Sequence, residues 1–217
     1  MIDELFEKID TLEKLKNEID RDCQKLLEKE KKGELKNNHL PNWVADILTK
    51  ALMIEILEEE AGRVDEDFWK VFGRGYSYTF KEEGYTSSLK LFELKYPILA
   101  VGRESDQLCV LPPGQYALLF SIDLTGGFVI PRITRKRAYK FTGEKWDLEK
   151  FADYYGVSAE VVKKLAEIIR RDTATSNKHI LYPAFEGGKP VLELRYTLLG
   201  GRLFKVETND VTNLVAE

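Results

Sequence analysis

Cysteine, histidine and methionine are scarce in this sequence, with two of each among 217 residues. The two cysteines, Cys23 and Cys109, are too few for the disulfide framework of a small secreted domain, and we expect both to be reduced and buried. His39 and His179 lie far apart and belong to no spacing typical of a zinc site. A P-loop motif is also missing, which argues against ATP hydrolysis of that kind. We therefore expect neither a metal nor another cofactor.

Long apolar runs are missing as well. No stretch approaches the ~18 continuous apolar residues that a membrane helix requires. The first four residues, MIDE, are acidic where a signal peptide is basic. We therefore expect a cytoplasmic protein with no membrane partner. Lysine and glutamate are abundant beside the scarce residues, a composition typical of proteins from hot environments.

The overall composition is that of a globular protein with an ionic surface, since 43% of residues are hydrophobic and 32% are charged. The net charge of −4 argues against indiscriminate binding to polyanions. The charge is unevenly distributed. Residues 1–60 contain sixteen acidic and ten basic side chains, a net −6, which leaves +2 for residues 61–217. The excess acid lies in the part that we predict to be helical.

Residues 1–73 are predicted to form a helical N-terminal region, either a hairpin or a coiled-coil-like pair. A first helix over 2–30 has one apolar seam at spacings of four and three, which Lys16 interrupts. Such a seam needs a partner, which could be a second helix of the chain or another copy in a homodimer. A second helix begins after Pro41 and ends near Gly62. The seam residues are Leu5, Ile9, Leu12, Ile19, Cys23 and Leu26.

Residues 74–217 are predicted to form a strand-rich domain with a helical insert at 147–171. Short apolar runs alternate with glycine and proline, which favours a mainly antiparallel sheet and an α+β fold. The glycine pairs at 187–188 and 200–201 suit hairpin turns. The predicted strand segments are 76–80, 89–101, 108–111, 116–124, 128–141, 179–185, 191–199 and 202–207.

The insert contains the run LEKFADYYGVSAEVVKKLAEI at 148–168. Ala152 is small where a second helix must cross closely, and Gly156 can adopt the left-handed conformation that ends a helix. Ser158 can cap the next helix. Val162, Leu165 and Ile169 place an apolar stripe against the first helix. The segment resembles the helix-turn-helix of many repressors and other DNA-binding proteins.

The resemblance implies that the second helix enters the major groove with its N-terminal residues at base edges. Ser158, Lys163 and Lys164 are then the candidate DNA-binding residues, since lysines suit phosphates or guanines. Glu160 and Glu167 on the same helix depart from a basic face. The alternative interpretation is a tight helical hairpin that packs on the sheet and contacts no nucleic acid.

A basic run, PRITRKRAYK at 131–140, lies just before the insert. In a strand the side chains alternate, so Arg132, Lys136 and Lys140 are expected on one face, and Arg135 and Arg137 on the other with Tyr139. A cationic strand can follow a phosphate backbone, and these five cations are further candidate DNA-binding residues. The alternative is an edge strand that its charge protects against aggregation.

Glu93-Leu94-Lys95 has the form E-x-K that restriction-type nucleases carry in a core strand. In such nucleases the glutamate and an upstream carboxylate hold a divalent metal, and the lysine orients or activates water. Glu93 and Lys95 are therefore candidate catalytic residues under this alternative. The candidate upstream carboxylates are Asp65, Asp67, Glu82 and Glu83.

Three functions remain open. The first is non-catalytic DNA binding, as in a transcriptional regulator or an accessory protein of the plasmid or virus type, with DNA and a second copy of the chain as partners. The second is a metal-dependent nuclease that uses Glu93 and Lys95. The third is an interaction or scaffold protein whose acidic N-terminal helix binds the partner. The sequence favours the first and makes an enzyme the less favoured choice.

Overall fold

The computed structural model describes residues 2–58, 66–73, 75–82, 85–123, 132–171, 179–192, 194–197 and 203–206. Its helices are α1 (Ile2–Lys31), α2 (Asn42–Glu58), α3 (Glu66–Phe72), α4 (Leu148–Tyr154) and α5 (Ala159–Arg171). Its strands are β1 (Tyr76–Glu82), β2 (Tyr85–Leu94), β3 (Ile98–Val101), β4 (Leu108–Leu111), β5 (Gly114–Asp123), β6 (Arg132–Lys140), β7 (His179–Leu181), β8 (Pro183–Glu186), β9 (Lys189–Leu192), β10 (Leu194–Thr197) and β11 (Leu203–Val206). The pairing between strands is antiparallel. The predicted α+β fold is confirmed.

The four-stranded sheet, in the order β1-β2-β5-β6, is covered on both faces. On one face, α2 and α3 place Leu48 and Phe68 in a core with Leu118 of β5. On the other face, Cys23 of α1 packs with Leu89 of β2. Helices α2 and α3 thus share a core with the strands. The division of the chain into two domains near residue 73 stays a prediction.

The three-stranded sheet, in the order β4-β3-β7, carries α4 and α5. Strand β3 is buried along its whole length. Ile98 and Ala100 belong to the core with α2 and α3, whereas Leu99 and Val101 belong to the core with α4 and α5. Because successive side chains of a strand point to opposite faces, β3 lies between two apolar layers. Its uniformly apolar sequence follows from this position.

Two details of the predicted strands have a clear outcome. The hairpin turn at Gly187 and Gly188 is confirmed, since both residues have positive φ and connect β8 to β9. The single strand predicted over 89–101 is wrong, because β2 ends at Leu94 and β3 begins at Ile98 in a different sheet. Pro97 between them has no N–H to donate to a ladder. The predicted turn at 200–201 and the end of the second helix near residue 62 lie outside the described residues.

Candidate functional site

The turn between α4 and α5 is fixed by local hydrogen bonds. Gly156 has φ 69, and its N–H donates to the carbonyl oxygen of Asp153 at 3.1 Å. The N–H of Val157 donates to the carbonyl oxygen of Ala152, also at 3.1 Å. This pair of bonds is a Schellman motif, which needs a left-handed residue at the position of Gly156. The predicted role of this glycine is confirmed.

Helix α5 begins at the cap that the sequence predicted. The Ser158 hydroxyl oxygen accepts a hydrogen bond from the N–H of Val161 at 3.2 Å, so it satisfies one of the amides that a helix leaves unpaired at its start. Helix α4 begins in the same way, since the Asp147 carboxylate accepts from the N–H of Lys150 at 2.8 Å. Both helices are therefore fixed by residues close in sequence.

The buried side of α5 anchors the pair to the sheet. Val162, Leu165 and Ile169 are fully buried, in one core with Phe151 and Ala152 of α4. The residues of β3 that face this core complete it. The predicted apolar stripe is confirmed. It serves a helix-turn-helix and a purely structural hairpin equally well, because each requires this face to be buried.

The outer side of α5 carries charges of both signs. Ser158, Glu160 and Lys163 are exposed, and Lys163 has no hydrogen-bond or ion-pair partner among the described residues. Lys164 forms an ion pair with Glu160 at 3.4 Å one turn earlier. On this face Lys163 has no partner among the described residues. Lys164 has only the exposed carboxylate of Glu160, and breaking such an ion pair costs little free energy.

The C-terminal end of α5 is tied to the loop after β3. Arg170 donates from Nε to the carbonyl oxygen of Gly102 at 3.1 Å and from Nη2 to that of Ser105 at 3.2 Å. It also pairs with Glu167. These bonds hold α5 in place, so Arg170 is a positioning residue for the helix. Arg171, the last residue of α5, is exposed.

Strand β6 contains a β-bulge in its basic segment. The register with β5 shifts between Leu119 and Ser121. Arg135 and Lys136 therefore stand together opposite Phe120, which is the two-against-one arrangement of a bulge. Arg135 has φ 50, a left-handed conformation that is uncommon for a residue with a side chain. The strict alternation of side chains between the two faces of the sheet, which the sequence analysis expected along β6, is interrupted at Arg135 and Lys136.

The bulge corrects the predicted distribution of the basic residues. Arg132 was predicted on one face with Lys136 and Lys140 from an unbroken alternation, and the register shift between Arg132 and Lys136 interrupts that alternation. The side chain of Arg132 itself lies outside the described residues. Arg137 and Tyr139 do share a face, where both contact α1. Lys136 lies on the other face and contacts α2.

The cations of β6 whose side chains the structure describes have partners within the chain. Lys140 donates to the carbonyl oxygen of Glu144. Burial lowers the pKa of Lys136 below its usual value. The outer edge of β6 is covered by the segment before α2, since the Leu40 N–H donates to the Ala138 carbonyl oxygen at 2.9 Å. This pairing favours a structural role for the strand. The ion pairs are Arg135–Glu82, Lys136–Asp46 and Arg137–Glu30.

No observed contact joins the described residues of the nuclease alternative. Glu93 is exposed near the end of β2, and Lys95 lies beyond that end. Glu82 pairs with Tyr85 at the opposite end of the hairpin, so about eight residues, or roughly 27 Å of strand, separate it from Glu93. Asp67 forms an ion pair with Lys70 at 2.9 Å.

Within the part of the chain that the structure describes, acidic residues elsewhere do not complete a metal site. Glu93 lines an open groove together with Asp22 of α1, and Lys95 does not. No group of three or more metal-binding side chains occurs among the residues that the structure describes. Asp65 and Glu83 lie outside those residues. No observed contact therefore favours the nuclease hypothesis.

Helix α1 is exposed on all sides over residues 11–18 and packs on the sheet from Ile19 onward. Leu12 is 65% exposed and Leu15 is 51% exposed, so this part of the seam has no partner among the described residues. Burial, with help from Asp20 and Asp22, raises the pKa of the Cys23 thiol to about 11. The side chains of the seam residues at positions 5 and 9 lie outside the description. A homodimer through α1 stays a prediction.

Comparison with known proteins gives no match to a protein family model, to a curated protein or to a solved structure. Among the described residues, no helix combines the length and apolar character needed to cross a membrane.

Proposed function

We propose that the protein binds duplex DNA without catalysis, through α4 and α5. The observation that carries this proposal is the position of α5. One stripe of α5 is buried against α4 and the sheet, and the opposite face leaves Ser158, Lys163 and Lys164 accessible at its N-terminal half. Those are the positions from which a recognition helix contacts bases and phosphates.

The set of residues that we propose to contact DNA is smaller than the set predicted from the sequence. The described side chains of β6 that are cationic all have partners within the chain, and a phosphate must compete with those carboxylates. We therefore assign the contacts to Lys163, Lys164 and Arg171 of α5, and not to the strand. The Glu160 carboxylate disfavours a phosphate beside it, but a glutamate can accept from the amino group of cytosine.

Three cations per copy set the expected strength of binding. Each neutralised phosphate contributes about −0.9 to the slope of log affinity against log salt, so one copy gives about −2.7. Between ~50 and ~200 mM salt the affinity then falls about 40-fold. A symmetric dimer doubles the slope and presents two recognition helices to a pseudo-palindrome.

A fluorescence-anisotropy titration with a duplex of about 30 base pairs tests the proposal. We expect saturable binding that weakens with salt, and a slope about 2 units shallower per copy in the double variant Lys163→Ala with Lys164→Ala. Lys14→Ala is the matched control, because Lys14 is also an exposed helical lysine but lies on α1. The DNA is run on a gel afterwards.

Three outcomes would oppose the proposal. Equal titrations of the wild type and the double variant would remove α5 from the interface. Loss of binding in Arg135→Ala, with the α5 variant unchanged, would place the contact on the strand instead. Cleaved DNA would contradict the non-catalytic part.

A further inference from the structure

A polar pocket lies between the C-terminal end of α1 and the four-stranded sheet. Its volume is about 270 Å³. Its polar lining comes from five elements: Glu30 and Lys31 of α1, Glu82 of β1, Ser87 of β2, Ser121 of β5, and Arg135 and Arg137 of β6. Elsewhere α1 and the sheet are joined by apolar packing and by hydrogen bonds such as Gln24 to Tyr78 and Tyr76 to Asp20. Several cations and carboxylates in one pocket are therefore a concentration of charge that needs an explanation.

Two buried hydroxyl groups lie in the pocket wall. Ser87 and Ser121 are each 1% exposed, and their oxygens are 2.8 Å apart on the two central strands. The Ser87 hydroxyl donates to the Glu82 carboxylate at 3.4 Å, so Ser121 is left to donate to Ser87. Neighbouring positions on this face hold leucine, including Leu89 and Leu119. Burying hydroxyl groups there costs free energy that an aliphatic pair would avoid.

Arg135 is held in an unfavourable backbone conformation beside the pocket. Its left-handed φ of 50 costs a residue with a side chain more than it costs glycine. The bulge directs its guanidinium to Glu82, at 3.0 Å, and its charge lies 5.2 Å from the Tyr85 ring centre. Strained residues and bulges concentrate at functional sites. An arginine occupies this position although glycine would adopt the backbone conformation at a lower free energy.

Arg137 completes the cationic side of the pocket. It pairs with Glu30, which also accepts a hydrogen bond from the Tyr139 hydroxyl at 3.2 Å. The side chains of Arg135 and Arg137 remain 58% and 51% exposed, so both are accessible. A guanidinium has five N–H donors, so Arg135 and Arg137 each keep donors that their glutamate partner does not use. With Lys31 in the lining, three cations face two carboxylates, a net charge of +1.

We propose that this pocket binds a small organic monocarboxylate. The ligand carboxylate is chelated by Arg135 and Arg137, since the guanidinium fork matches carboxylate geometry. The rest of the ligand packs on the apolar lining, formed by Leu27, Phe80 and Leu119. A hydroxyl group on the ligand reaches the serine pair. This site goes beyond DNA binding and does not depend on it.

Charge and size select the ligand class. A monoanion neutralises the net +1, whereas a phosphate monoester carries about −1.5 to −2 and would leave negative charge beside Glu30 and Glu82. Binding pockets for drug-sized ligands start at about 300 Å³, so this pocket takes something smaller than a nucleotide.

The test uses ligand-observed NMR and calorimetry on the full chain. The probes are lactate, 3-hydroxybutyrate, benzoate and 4-hydroxybenzoate, with the amide of each as a neutral control and inorganic phosphate as the competing anion. We expect at least one carboxylate to bind saturably, its amide at least tenfold more weakly, and phosphate more weakly than that carboxylate. Failure of all four carboxylates, or equal binding of carboxylate and amide, would overturn the proposal.

Substitutions of the pocket arginines distinguish a ligand-binding role from a purely structural one. Arg137→Gln with Glu30→Gln removes both charges and keeps a hydrogen-bonding pair, so the fold is preserved while carboxylate affinity falls at least tenfold. Arg135→Gly relieves the backbone strain, and we expect an unchanged or higher melting temperature together with a similar loss of affinity. Arg21→Gln, on an exposed part of α1 away from the pocket, should change neither. Undiminished binding in both pocket variants would assign these residues to structure alone.

Discussion

Replacing Gly156 by alanine should destabilise the protein through backbone strain alone. Among the described residues, a Cβ at this position would meet no atom within 4 Å beyond its immediate chain neighbours, so it would clash with no other part of the fold. The left-handed conformation at φ 69 costs an L-residue about 1–2 kcal/mol. Alanine also lowers the conformational entropy of the unfolded chain, which stabilises the folded protein by about 0.4–1 kcal/mol. The net loss is about 1 kcal/mol, a fall of roughly 2–4 °C in Tm for a chain of this length.

Thermal unfolding by circular dichroism and urea titration measure this loss. Gly156→Asn should recover part of it, because asparagine tolerates the left-handed conformation. Gly75→Ala is the contrasting variant, since its Cβ would lie 2.3 Å from the Leu91 carbonyl oxygen, a clash with backbone. It should cost more than Gly156→Ala. An alanine variant at 156 that is as stable as the wild type, or more stable, would refute the left-handed turn between α4 and α5.

Other substitutions test the cores, the thiols and the projecting helix. Leu165→Ala should cost about 2–5 kcal/mol in urea unfolding, because Leu165 is fully buried, and a loss below ~1 kcal/mol would contradict its place in the core. At about pH 8, a thiol reagent should label fully buried Cys23 only after unfolding, and partly buried Cys109 more slowly in the folded than in the unfolded protein, because burial raises both pKa values and so lowers the thiolate fraction. If α1 joins two copies, Leu12→Glu should convert a dimer to a monomer in sedimentation velocity and should lower the Tm by no more than the stabilisation that dimerisation supplies. A monomeric wild type would contradict the homodimer.

The α4–α5 pair was predictable from sequence because its determinants are local. Gly156 and Ser158 act on backbone groups within three residues of themselves, so their spacing carries the information. The buried stripe recurs at helical spacing, and its burial requires only some apolar partner. What the sequence could not supply was the partner itself. The contribution of Leu99 from β3 depends on a strand that is distant along the chain and buried on both faces.

The polar pocket was not predictable because its residues are distant in sequence and meet only in the folded sheet. Ser87 and Ser121 lie 34 residues apart, and each looks like an ordinary strand residue until β2 and β5 pair in the observed register. The bulge at Arg135 inserts one residue into β6, and no glycine marks the site. The basic run marked Arg135 and Arg137 as candidate binding residues, but nothing in the sequence joined them to Ser87 and Ser121, which only the strand pairing brings to the same pocket.

The charge asymmetry of the sequence has a structural counterpart that bears on the DNA proposal. The acidic excess of residues 1–60 and the basic run of β6 meet in the fold, since Glu30 pairs with Arg137 and Asp46 pairs with Lys136. A basic run in sequence therefore need not present a basic surface. Helix α5 differs because Lys163 has no ion-pair partner among the described residues, so under the DNA proposal a phosphate is bound by α5 and not by β6. The salt dependence of binding should accordingly follow substitutions in α5.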